Sequence, residues 1–155
     1  MSSARVADAR YLTNADLVVV GALRRDARAE AGLARGGDLY LARAAVDVPV
    51  PGDPERPAWV GVLAGEVAGY LFGRIQPLAD DRLLGLVDAI YVDADCRAVG
   101  VGEAMMAAAV AVFRDAGCFG VDALALPGAR ATKNFFEESG FTARMLVMHH
   151  RLERP

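Results

Sequence analysis

The stretch CRAVGVGEAMM, residues 96–106, sets an arginine three residues ahead of the first of two glycines, between a β-branched run and an apolar helical pattern. A chain that turns from strand into helix there presents unpaired backbone N–H groups at the positive end of the helix dipole, a patch that binds anions. Gly100 and Gly102 keep side chains away from the bound group and permit positive φ. Arg97 adds a charge-assisted contact. A tight turn without a ligand uses the same residues, so the motif alone leaves both readings open.

Two phosphate chemistries compete for this loop. A dinucleotide fold expects a third glycine where Met105 stands, and an acidic residue about 20 positions on, after its strand; Asp122 instead precedes the run ALAL. The dinucleotide reading fails at both points. Metal and thiol chemistry find little support: Cys96 and Cys118 are the only cysteines, without metal-site spacing. His149 and His150 are adjacent and read as the end of a strand.

The elements that position the loop follow from periodicity. ARVADARYL alternates as a first strand, and the segment 13–33 opens a helix with Thr13 as N-cap and Asp16 three residues on, Leu17, Val20, Ala27 and Ala31 lining one side. GDLYLARAAV is a short second helix or a strand, and DVPVPGDPERP is a loop. AWVGVLAGEVAGYLFGRI divides at Ala64-Gly65-Glu66 into a hairpin, and LLGLVDAIYVDAD is a strand buried on both faces. Met105, Met106, Ala109, Val110 and Phe113 recur at helical spacing up to Gly117. FGVDALALP is a further strand, GARATKNFFEES a last helix stopped by Gly140, and FTARMLVMHHRL a last strand. The sum is a mixed α/β sheet of about six strands.

LVDAIYVDADCRAVGVGEAMM and ATKNFFEESGFTARMLVMHHRL together resemble the GNAT superfamily of acetyl-CoA-dependent N-acetyltransferases, the first through its R-x-x-G-x-G loop, the second through its last helix and the Gly140-Phe141 that follows. The resemblance covers roughly residues 86 to 152. It implies a single α/β domain over residues 1–155, with a mostly antiparallel sheet of six or seven strands, splayed central strands and about four helices. It implies acetyl-CoA as co-substrate, with no metal. The amides of Val99, Gly100, Val101 and Gly102, with Arg97, would hold the pyrophosphate. The pantetheine arm would pair with Ile90, Tyr91 and Val92, the Val92 amide facing the thioester oxygen. Asn134 would be a coenzyme contact.

An amine with a pKa near 10.4 must lose a proton before it attacks. Asp88, two residues before Ile90, shares the active-site face by alternation and is the candidate base. Asp93 and Asp95 read as solvated, and Glu103 as a partner of the helix dipole. Where the family carries a tyrosine acid, four residues before the glycine, this chain has Phe136, whose ring is expected beside the coenzyme's thiol end.

Composition bounds the rest. The 155 residues are 54% hydrophobic and 24% charged, as in an ordered globular chain. With a net charge of -3, a pI near 5.4 and no basic runs, the chain lacks a nucleic-acid footprint. Its apolar stretches fall short of the roughly 20 residues that span a bilayer, and MSSARVADAR has no apolar signal core, so a cytoplasmic protein without a membrane partner is expected. The acceptor would be a small-molecule or peptide amine, with a homodimer left open. A catalytically silent acyl-CoA-binding module is the alternative that Phe136 keeps in view.

Overall fold

The computed structural model describes residues 6–43 and 47–153. The elements are β1 (Ala7–Tyr11), α1 (Leu17–Leu33), α2 (Gly37–Arg43), β2 (Ala58–Leu63), β3 (Glu66–Pro77), β4 (Leu83–Val92), α3 (Val101–Asp115), β5 (Cys118–Ala123) and α4 (Arg130–Glu138). The strands form one sheet in the order β1-β2-β3-β4-β5, antiparallel as far as β4, with β5 parallel to β4.

Local chemistry accounts for the main joints. The α1 entry is a capping box: Asp16 accepts hydrogen bonds from the Thr13 N–H and Oγ1, both at 2.9 Å, and a bidentate contact from Arg10 at 2.7 and 2.9 Å. The β2–β3 hairpin turns on two residues, Ala64 (φ 52°) and Gly65 (φ 82°), the two positive φ values that match the twist of a tight hairpin. The expected helix at 37–43 forms, and residues 44–46 of that segment lie outside the described residues.

Helices cover both faces. On one, Val20 and Leu23 of α1 pack on Val60, Tyr70, Phe72 and Tyr91; Ala27 joins them, whereas Leu17, expected on this side, faces solvent. On the other, α3 inserts Val101, Met105, Ala109 and Phe113 over Trp59, Leu71 and Val87, joined by Phe136 of α4. Close approach of α3 depends on missing side chains in the sheet. A Cβ at Gly61 would collide with Val101, one at Gly69 would lie 3.0 Å from Met105 Cε, and one at Gly85 would enter the Phe113 ring.

Two expectations are corrected. The strand foreseen at 119–127 is β5 at Cys118–Ala123, and residues 141–153 form no strand, which leaves five strands instead of six or seven. An apolar run becomes a strand only against a free edge. Here Arg144 is hydrogen-bonded to Asp122, next to last in the edge strand β5, but among the described residues the segment beyond it forms no ladder with that edge.

Candidate active site

The site is assembled where β4 loses a neighbour. β5 pairs with β4 from Leu83 to Val87 and no further, so Asp88–Val92 extend beyond the parallel ladder. On the other side β4 remains paired with β3, Leu71 to Ile90, Tyr70 to Tyr91 and Gly69 to Val92. The Asp93 N–H donates to the Ala68 carbonyl at 2.8 Å, so the alternation of the ladder directs the Ile90 and Val92 amides away from β3, toward the gap that β5 leaves. The Val92 carbonyl, on that same side, accepts a hydrogen bond from Arg97 Nε at 3.0 Å.

From Val92 the chain passes through a short 3-10 turn, Ala94–Cys96, where the Asp93 carboxylate accepts from the Asp95 N–H at 2.9 Å. Asp93 is thus a turn cap, and Asp95 and Glu103 lie exposed. Ala98 (φ 62°) and Gly100 (φ 95°) both take the left-handed conformation, and Gly100 caps the 15-residue α3. The first amides of α3, Val101, Gly102 and Glu103, have no partner within the helix. The loop therefore combines a left-handed glycine, a helix start whose first amides have no partner within the helix, and an open strand edge leading to it. These features fit a pyrophosphate with an extended arm.

Several residues take places the sequence did not show. Gly102 is buried, and a side chain on it would meet Phe135 of α4 at 3.1 and 3.2 Å, so the glycine admits this ring as well as clearing the loop. Asn134, the neighbour of Phe135, lies on the exposed side of α4. Lys133 pairs with Glu137 at 3.4 Å. Phe136 is buried in the α3 core with its ring 5.5 Å from Phe141 and 5.7 Å from Phe135.

Asp88 departs from simple alternation. Phe72 pairs with Ala89 but Gly73 with Val87, so Asp88 is the extra residue of a β-bulge. Its oxygens accept from Arg74 Nε and Nη2, both at 3.0 Å. Arg74 alternates with Tyr70 and Phe72, which places the pair on the α1 side of the sheet, opposite the face where Ile90 and Val92 pack.

Glu30, near the end of α1, carries no motif, yet it organises the α1 side of the gap. It accepts from Arg97 Nη2 at 2.8 and 2.9 Å and from the Tyr91 hydroxyl at 2.9 Å, and the Arg97 guanidinium lies 5.3 Å from the Tyr91 ring centre. Burial foremost, then the Glu30 carboxylate, pushes the Tyr91 phenol up to about 12. The spacing of 67 residues between Glu30 and Arg97 is a product of the fold and leaves no local signal in the sequence. Among the described residues no three His, Cys, Asp or Glu side chains gather as a metal site, and no helix is long and apolar enough to cross a membrane.

Comparison with known proteins bears on the family and the fold. Residues 25–141 match the acetyltransferase (GNAT) family. No curated protein sequence matches the chain. Among solved structures, the aminoglycoside N-acetyltransferase AAC(6')-Iy in complex with CoA superimposes with a TM-score of 0.69 at 17% identity, covering 95% of this chain and 100% of its own. Ribosomal-protein-alanine N-acetyltransferase from Brucella melitensis biovar Abortus 2308 gives 0.67 at 18% identity, covering 96% and 100%. Glucosamine-6-phosphate N-acetyltransferase from Arabidopsis thaliana gives 0.63 at 16% identity, covering 96% and 99%. At such identities the neighbours speak for the fold alone, and it is the family match over most of the sheet, the loop and α4 that identifies the chain as a member of the acetyltransferase (GNAT) family, an acyltransferase.

Proposed function

We propose that the chain transfers an acetyl group from acetyl-CoA to an amine by direct attack within a ternary complex. The observation that carries the reading is the junction of β4 and α3: an open strand edge at Ile90–Val92 continuous with a helix start capped by left-handed Gly100. Bound acetyl-CoA supplies a thioester carbonyl open to attack by nitrogen. The amides of Val99 to Gly102 hold the pyrophosphate, aided by the α3 dipole. The Val92 N–H stabilises negative charge developing on the carbonyl oxygen. Asn134 contacts the coenzyme from α4.

Arg97 serves the pyrophosphate only by loosening its hold on Glu30, to which it is joined at 2.8 Å. Asp88 takes the proton of the incoming amine only when Arg74, which engages both of its oxygens, swings aside. This reading gives Asp88→Asn a loss of about 10²-fold or more in kcat/KM, while Arg74→Met, which frees the carboxylate, retains activity. A loss below about threefold in Asp88→Asn with CoA affinity unchanged makes Asp88 structural.

A second reading, an acyl-CoA-binding module without chemistry, is favoured by two observations: Phe136 stands in the core where the family has a tyrosine, and Asp88 is engaged by Arg74. Thiol release from acetyl-CoA across a broad panel of primary amines, from aminosugars to peptide N-termini, separates the two. Release with any amine supports the transferase, and CoA binding with no release across the panel supports the module.

A further inference from the structure

The guanidinium of Arg97 occupies a place shaped for a cation. The two Glu30 oxygens accept from its Nη2 at 2.8 and 2.9 Å, the Val92 carbonyl accepts from its Nε at 3.0 Å, and the Tyr91 ring centre lies 5.3 Å away. By donating to Glu30 Oε1 at 2.9 Å, the Tyr91 hydroxyl holds the carboxylate beside the ring. Asp26, one turn earlier on α1, adds negative charge to the field at this hydroxyl. The place borders the gap between β4 and β5. Glu30 meets Tyr91 of β4, and a little further along the chain a Cβ at Gly128, between β5 and α4, would lie 3.1 Å from the Arg35 N. The end of α1 thus runs from β4 toward the far side of the gap.

The proposed coenzyme site competes for Arg97 in two ways. The pyrophosphate draws its charge toward the loop, and a pantetheine arm paired along β4 takes the Val92 carbonyl that Nε now fills. The ion pair with Glu30 gives way because both side chains are about half exposed, 47% and 46%. Once Arg97 leaves, the Glu30 carboxylate and the Tyr91 face keep their charge and shape and lose their cation. An ammonium fits there. The attacking amine is not that ammonium, because its nitrogen must be neutral when it meets the thioester. The group for Glu30 is a second, charged nitrogen of the same acceptor.

We infer that Glu30 and Tyr91 form an acceptor subsite for an ammonium, filled by Arg97 in the free chain and vacated by coenzyme binding, and that the acceptor is a diamine or polyamine. The identity of the acceptor rests on the acyl-transfer reading; the subsite itself is testable without turnover.

Calorimetric titration of the full chain with putrescine, a butane with an amine at each end, tests the subsite, with butanediol as the uncharged control. Saturating CoA is expected to tighten putrescine binding at least about tenfold, and putrescine to tighten CoA by the same factor. Arg97→Met, which leaves the place empty, is expected to bind putrescine without CoA as tightly as the wild type does with it. Glu30→Gln is expected to lose the effect of CoA. Thiol release from acetyl-CoA is the second readout: kcat/KM for putrescine exceeds that for butylamine at least about tenfold, through KM, and Glu30→Gln removes the difference. Putrescine binding that gains both with CoA and in Arg97→Met, without thiol release from any amine, leaves the subsite standing and removes the transfer reading. Putrescine binding that is undetectable, or unchanged by CoA or by Arg97→Met, overturns the subsite even if other amines are acetylated. An equal gain for butanediol, or putrescine turnover no better than that of butylamine, overturns it as well.

Discussion

Gly69→Ala tests how tightly β3 must approach β4 beside the proposed thioester site. A Cβ at this position would lie 2.6 Å from the Tyr91 carbonyl oxygen, 3.0 Å from Met105 Cε and 3.4 Å from Val92 Cα. The methionine end is flexible and moves aside at little cost. The carbonyl belongs to the backbone of β4, and a carbon–oxygen contact needs about 3.3 Å, so β4 must retreat by roughly 0.7 Å at Tyr91–Val92. Overpacking of this kind costs about 1–3 kcal/mol. For a chain of this length that lowers Tm by roughly 2–4 °C per kcal/mol. The displaced amide is that of Val92, where an error of about 1 Å costs up to 10²-fold in rate, so acetyl transfer falls at least tenfold. Gly120→Ala is the control: it too lies in a strand, but nothing stands within 4 Å of its Cβ. Urea unfolding followed by circular dichroism, with thiol release on the same samples, gives both quantities. Equal stability and rate for Gly69→Ala and wild type, or equal losses in the two variants, refutes the close-approach argument.

Other perturbations follow from named contacts. The buried Asp16 carboxyl is held at about 2, chiefly by its Arg10 hydrogen bond and, against the effect of burial, by Thr13. Because its folded value lies below the ordinary 3.9, its contribution is full above about pH 5 and is lost as pH falls toward 2. We expect roughly 2 kcal/mol of acid-dependent stability that Asp16→Asn abolishes, read from urea midpoints against pH. Glu30→Gln releases Arg97 and removes a negative charge near the cradle. Because the pair is half exposed, its effect is capped near 1 kcal/mol, a CoA Kd tighter by up to about fivefold; a weaker Kd contradicts it. Phe136→Tyr sets a hydroxyl in the core and lowers stability by about 1–2 kcal/mol. Its gain in kcat stays below about tenfold, because a thiol near 8.5 leaves with little need of a proton at pH 7.5; a gain of 10³-fold reverses that view and supports a module that has lost its acid.

What the sequence made legible is what local pattern encodes. The Met105–Phe113 stripe, the Ala64-Gly65 turn and the Thr13/Asp16 cap each depend on residues a few positions apart, and each appears in place. The loop at Arg97–Gly102 was visible for the same reason. Alternation misassigned Asp88 because a bulge is a property of two strands in register, and the sequence of one strand does not carry it. Glu30 and Arg74 went unnoticed because their partners lie 67 and 14 residues away. The strand expected at 141–152 is absent for a related reason: propensity resides in the segment, whereas a ladder is a property of two strands in register.

The account rests on the β4–α3 junction as the coenzyme site, and amide resonances report on it residue by residue. Titration of the isotopically labelled full chain with CoA is predicted to shift the Val99, Gly100, Val101 and Gly102 amides together with those of Ile90 and Val92, and to leave those of β1 and the β2–β3 turn in place. Binding of CoA with these six amides unmoved, or no change in any resonance at millimolar CoA, contradicts the account.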